Sequence, residues 1–281
     1  MVYSVLVTLV ITARNVELAV QLSDMRLTSL SAQTVVSEQQ RKALVLSTTD
    51  ARLLVGWCGL ARDVINGHNT GDWLVDELHA LSSMRLPELG KELVNRATIK
   101  FQSAKVPNDQ KGCSIILAGW CSPRPGIAIP VSARISNCED ARGKSTPVRT
   151  SFEATWQWPS EKISQRKPAL VAISGTVAAV RKDLGKAVLF LLRRDPTPEQ
   201  VLNACVRIMK EAANHRTYGH LIGRNWIGIE MQVDAMGARA HYFPEKQSPR
   251  EFLPNLITPA MAYKDVWVWS GPGDPSQSPG P

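Results

Sequence analysis

The side chains in this chain best suited to metal or nucleophilic chemistry are its five cysteines and five histidines, and their spacing supports neither use. Cys58, Cys113, Cys121, Cys138 and Cys205 form no CxxC pair, and their number is odd. Neither a zinc site nor a disulfide framework is indicated, and they read as reduced core residues. Cys58 has no histidine nearby in sequence to activate its thiol. His68, His79, His215, His220 and His241 show no metal-ligand pattern, so no metal and no cofactor is expected. What remains is a hydroxyl, a carboxylate, an ammonium and a glycine at the ends of apolar runs: Thr8, Asp24, Lys42 and Gly59. Each has a plain reading. Thr8 is compatible with any β-strand, Asp24 could pair with Arg26, Lys42 could be a solvated edge lysine, and Gly59 a turn.

The elements that must position them can be read from periodicity. Residues 5–13 (VLVTLVITA) have the composition of a buried strand, Arg14-Asn15 supplies a turn, and 17–23 return as a second strand ending at Asp24. Residues 41–48 and 51–57 form a second hairpin around Thr49-Asp50, closed by Gly59. The period then changes. Residues 70–82 and 87–103 carry apolar residues at helical spacing, with Pro87 at the start of the second helix. Strands resume at 113–120, 127–135 and 151–158, with the charged stretch 139–150 as a loop, and again at 169–175. Residues 176–194 read as a helix. Residues 195–215 read as another, with Thr197 as N-cap and Pro198 at its first position. A hairpin over 226–233 and 238–243 follows, turning at Ala235-Met236-Gly237. Segregated blocks of strands and helices predict an α+β chain built in layers. A four-layer αββα sandwich satisfies the order: two antiparallel sheets face to face, a helix pair on each outer face.

Composition sets the class. At 44% hydrophobic and 21% charged, the chain is that of an ordinary soluble protein, and no apolar run reaches membrane-spanning length. The N-terminal MVYSVLVTLVITA lacks the basic region of a signal peptide, so a cytoplasmic protein is expected. The net charge of +8 is not gathered into a stripe with exposed aromatics, so nucleic acid is not the expected partner. One domain is expected over 1–245. Residues 246–281 form an extension, disordered from about 270, where the tail turns Pro/Gly/Ser-rich.

The stretch TLVITARNVELAVQLSDMRLT resembles the opening hairpin of proteasome β subunits and their bacterial relatives, members of the N-terminal-nucleophile (Ntn) hydrolases. In that family the first strand begins with a nucleophilic Thr. The return strand ends in Ser/Asp with Arg following, a Lys opens the next hairpin, and a Gly in a tight turn ends it. Thr8, Asp24, Lys42 and Gly59 stand in those places, in that order. LAGW (117–120) is similar to the mid-chain strand, and ISG (173–175) to the Ser-Gly before the third helix, with Ser174 beside the active centre. The helix 199–214 and the turn HLIGRN (220–225) resemble the last helix and its following loop. The resemblance covers roughly residues 6–245.

The resemblance implies a threonine-type amidohydrolase or peptidase acting on a peptide or small amide, and self-assembly through the helix layers. Thr8 would be the nucleophile, with its own α-amine as base once it is the first residue. Lys42 would favour the deprotonated site, Asp24 would hold Lys42, and the Gly59 N–H would donate to the oxyanion. Ser174 and Asn225 complete the implied site. Two positions depart from the family. Where it has Asp and, three residues later, Ser supporting the amine, this chain has Asn225 and Gly228. Thr8 is also internal, preceded by Val7. Initiation at codon 7, followed by removal of Met, would expose it. The alternative is a catalytically degenerate Ntn-fold scaffold that assembles without hydrolysis.

Overall fold

The structure is a computed structural model; it describes residues 8–28, 35–37, 39–63, 68–158, 168–235, 237–246, 250–264 and 267–269. Twelve strands build its two main sheets: β1 (Leu9–Arg14), β2 (Leu18–Asp24), β3 (Ala43–Ser47), β4 (Ala51–Gly59), β5 (Cys113–Arg124), β6 (Ile127–Ser136), β7 (Glu153–Gln157), β8 (Leu170–Gly175), β9 (Trp226–Gln232), β10 (Ala238–Phe243), β11 (Asn255–Ile257) and β12 (Ala262–Tyr263). The smaller sheet runs β8-β1-β2-β9-β10 and the larger β7-β6-β5-β4-β3-β11-β12. Four helices cover them: α1 (Thr70–Leu81), α2 (Leu86–Ser103), α3 (Lys182–Leu192) and α4 (Pro198–Ala213).

These layers follow from alternation along each strand. Leu9, Ile11 and Ala13 of β1, with Leu18, Val20 and Leu22 of β2, pack under α3 and α4 against Val188, Leu202 and Met209. On the larger sheet, Leu44, Leu46, Leu53, Val55 and Trp57 meet Leu74, Leu78, Leu89 and Leu93 of α1 and α2. The opposite faces meet each other: Ala19, Ile227 and Ile229 touch Ala43, Val45, Leu54 and Trp120, while Val10 packs on Cys58 and Ile116. Both sheets are thus buried on both faces. That is why runs such as LVITA and ALVL are apolar at nearly every position rather than at every second one. The expected four-layer αββα sandwich is the observed fold.

Helix boundaries obey local chemistry. Asn69 caps α1, its side chain accepting from Gly71 and Asp72, and Pro87 lies in the first turn of α2. Thr197 forms a capping box with Gln200, as its position in the sequence suggests. The segment 176–194 differs from the single helix expected. Val177–Ala179 is a 3-10 turn, Val180 is extended, and α3 starts only at Lys182. The break lies at Val180, whose backbone is extended (φ −97°, ψ 127°), while Thr176 ahead of it donates its N–H to the carbonyl of Thr8.

Beyond 245 the chain rejoins the larger sheet. β11 pairs in parallel with β3, Leu256 opposite Val45, so that sheet is mixed at one place rather than wholly antiparallel. Arg250–Phe252 pairs with Trp267–Trp269. The tail from 270 lies outside the described residues, as does Met236 in the last hairpin. Among the described residues no helix is long and apolar enough to cross a membrane.

Candidate functional site

At the end of the sandwich where β1 begins, Thr8, Asp24 and Lys42 meet. The register of β1 against β2, Val10 opposite Ser23, brings the start of one strand to the end of the other. Asp24 uses both oxygens there: Oδ2 accepts the Leu9 N–H at 3.0 Å and Oδ1 accepts Lys42 Nζ at 2.9 Å. Lys42 belongs to the other sheet, immediately before β3, and its side chain crosses the interface. Its ammonium also donates to Thr8 Oγ1 and to the carbonyl of Arg26. Three donors therefore meet three acceptors, and the cation is satisfied. Lys42 and Asp24 are fully buried and Thr8 is 1% exposed, which excludes the solvated-edge reading of Lys42. The carboxylate of Asp24 pairs with Lys42, while Arg26 turns to the carbonyl of His220 at 2.9 Å. An ammonium held in a dry site against a hydroxyl oxygen favours the hydroxyl's deprotonated form.

Two glycines shape the walls. Gly59 has φ +113°, and a Cβ there would lie 2.1 Å from the Gly112 carbonyl oxygen. The Trp57 N–H donates to Lys42 O at 3.2 Å and the Leu60 N–H to Gly112 O at 2.7 Å. Strand alternation therefore turns the N–H of Gly59 to the side of β4 that faces β3. Gly175 has φ +96°, and a Cβ there would lie 2.0 Å from the Thr8 carbonyl oxygen. Only glycine lets β8 run this close to Thr8.

The other sequence candidates are engaged elsewhere. Ser174 stands one residue from Gly175, opposite Val10, but its hydroxyl donates to Glu139 at 2.6 Å. Asn225 accepts the Glu245 N–H on its side chain at 2.9 Å and the Met25 N–H on its carbonyl at 3.0 Å. Gly228 leaves room for Leu202; a Cβ would stand 2.8 Å from that side chain. Thr176, which sequence reasoning passed over, is the residue that reaches Thr8. It donates its N–H to Thr8 O at 2.7 Å and accepts the Thr8 N–H on Oγ1 at 3.4 Å. Its place just after the Ser-Gly pair was the available signal. Cys58 is fully buried; burial and the neighbouring Glu139 push its thiol well above the usual range, as suits a packing role. All five cysteines are free and buried.

Two face-to-face sheets between helix pairs make a proteasome-like fold of the Ntn type. Solved structures show the same architecture. An Anbu (Gly-1) mutant from Hyphomicrobium sp. strain MC1 superposes with a TM-score of 0.50 at 11% identity, over 85% of this chain and 87% of that one. Anbu (ancestral beta-subunit) from Yersinia bercovieri gives 0.48 at 13%, over 84% and 87%. At 11% identity the likeness to the Hyphomicrobium structure concerns the fold alone. No protein-family model and no curated protein matches the sequence.

Proposed function

We propose that this protein is a proteasome-like Ntn-fold hydrolase of the threonine type, cleaving an amide or peptide bond with Thr8 Oγ1 as nucleophile. The observation that carries the reading is the buried Lys42 ammonium held between Thr8 Oγ1 and Asp24. In this reading Asp24 aims Lys42, and the Lys42 ammonium stabilises the developing alkoxide. The Gly59 N–H receives the oxyanion of the tetrahedral intermediate. The base is the α-amine of Thr8, so the working protein must begin at Thr8; an amide nitrogen cannot take the proton. Assembly of several copies through the helix layers accompanies the reading, as the sequence resemblance implies.

A second reading is a scaffold of the same fold without hydrolysis. It is favoured by the occupied state of the supporting positions. Asn225 is spent on Glu245, Gly228 is filled by Leu202, and the Ser174 hydroxyl belongs to Glu139. None brings a carboxylate or hydroxyl to the Thr8 amine. One experiment separates the two. Chains beginning at Met1 and at Thr8, the latter verified by intact mass, are assayed on fluorogenic peptide amides, with Thr8→Ala as control. Turnover by the Thr8-initiated chain alone, abolished in Thr8→Ala, supports the hydrolase. Equal silence of all three, with the native protein starting at Met1, supports the scaffold.

A further inference from the structure

Glu139 lies in the charged loop between β6 and β7, yet it is 2% exposed. Its carboxylate receives four donors. Oε1 accepts the Gly175 N–H at 2.9 Å; Oε2 accepts Ser174 Oγ at 2.6 Å, Ser114 Oγ at 2.9 Å and the Arg134 guanidinium. Arg134 in turn donates to the carbonyl of Ile173 at 3.2 Å. Three consecutive residues at the end of β8 are therefore gripped by one buried ion pair. Glu139 is itself fixed, its N–H donating to Ser136 Oγ at 3.0 Å and its carbonyl accepting from Arg149 at 3.3 Å.

The position of this grip matters. The pairing of β8 with β1 ends at Gly175 opposite Leu9. The next residue, Thr176, holds both backbone polar groups of Thr8. On its other flank Ser174 Oγ lies 3.1 Å from Cys58 Sγ, in the residue before Gly59. One carboxylate thus reaches Thr176, which holds Thr8, through Gly175, and reaches Gly59 through Ser174 and Cys58. A buried ion pair is a weak source of stability, because desolvation offsets its attraction. Its gain here is geometric: it fixes where β8 stops.

We propose that Glu139 is a positioning residue for Thr8, clamping the Ser174–Gly175–Thr176 turn against the first strand. The kinetic arm of the test rests on the hydrolase reading; the exchange arm does not. Glu139→Gln in the full chain keeps the side-chain volume, removes the negative charge and replaces one of the two acceptor oxygens by an NH2 donor. Amide hydrogen exchange in a peptide spanning 170–181 should accelerate by about tenfold, while exchange in 198–213 stays at the wild-type rate and certifies the fold. In the Thr8-initiated chain, kcat should fall by about tenfold or more with KM within about twofold, and Glu139→Asp should recover part of it. Wild-type exchange over 170–181 in a folded Glu139→Gln protein would overturn the proposal. Should that variant not fold, Ser174→Ala removes one donor and keeps the Arg134 pair. It should accelerate the same peptide by about threefold, and an unchanged rate would equally overturn the clamp. If wild type hydrolyses nothing, the hydrolase reading fails while the exchange result still decides the role of Glu139.

Discussion

Arg14, the last residue of β1, points into the space between the sheets and is 4% exposed. Its Nη2 donates to Ser132 Oγ at 3.3 Å, but Nε and Nη1 have no partner among the described residues. Burial pushes the guanidinium well below its ordinary value, down to about 10. At about 1.4 kcal/mol for each pH unit, a drop of this size means the charged side chain costs folding about 3 kcal/mol. The unfolded chain holds the proton up to its higher pKa, so the cost is fully present below pH 10. Above about pH 10 the folded state releases the proton before the unfolded chain does, and this cost shrinks as pH rises. Arg14→Met keeps the length of the stem and removes the charge. The expected gain at pH 7 is about 1–3 kcal/mol, the range seen when buried ionic groups give way to apolar ones of similar size. Urea unfolding should show a higher midpoint with an unchanged slope. A variant less stable than wild type by about 1 kcal/mol or more would refute the reasoning, because it would mean the guanidinium is well partnered in solution.

Two further predictions concern the Thr8 site. Lys42→Met and Asp24→Asn each strand the other buried charge and should each cost about 3–5 kcal/mol, whereas the double variant should cost less than their sum by more than about 1 kcal/mol; additive unfolding free energies would contradict the buried pair. Gly175→Ala places a Cβ 2.0 Å from the Thr8 carbonyl oxygen in a backbone of φ +96°, so it should lower stability by about 1–3 kcal/mol and displace Thr8, and an unchanged thermal midpoint would speak against that close approach.

The fold was legible because its determinants are local. Continuous apolar runs announced strands buried on both faces, helical spacing announced α1 and α2, and Thr197-Pro198 marked the start of α4. The resemblance then set Thr8, Asp24 and Lys42 in one place, and the structure brings the three together. Other features were not readable. Residues 176–194 have helical composition, but the chain is extended at Val180 and α3 starts only at Lys182, and no periodicity carries that information. Asn225 stands in the aligned position, yet its side chain caps the backbone at Glu245. β11 has only three residues and joins the sheet edge through pairing with a strand more than two hundred positions earlier.

Glu139 draws the line most sharply. In the sequence it is one charge in CEDARGK, indistinguishable from its solvated neighbour Asp140. The sequence by itself determined the layers, because hydrophobic period and capping chemistry act over a few residues. The family resemblance also marked out Thr8, Asp24 and Lys42, which the structure brings together. Only the tertiary structure decided which loop carboxylate is buried and which hydroxyls it takes. It likewise decided that Thr176, rather than Ser174, reaches Thr8. Those choices depend on desolvation and on donors supplied by β5, β6 and β8, strands that meet only when the sandwich closes.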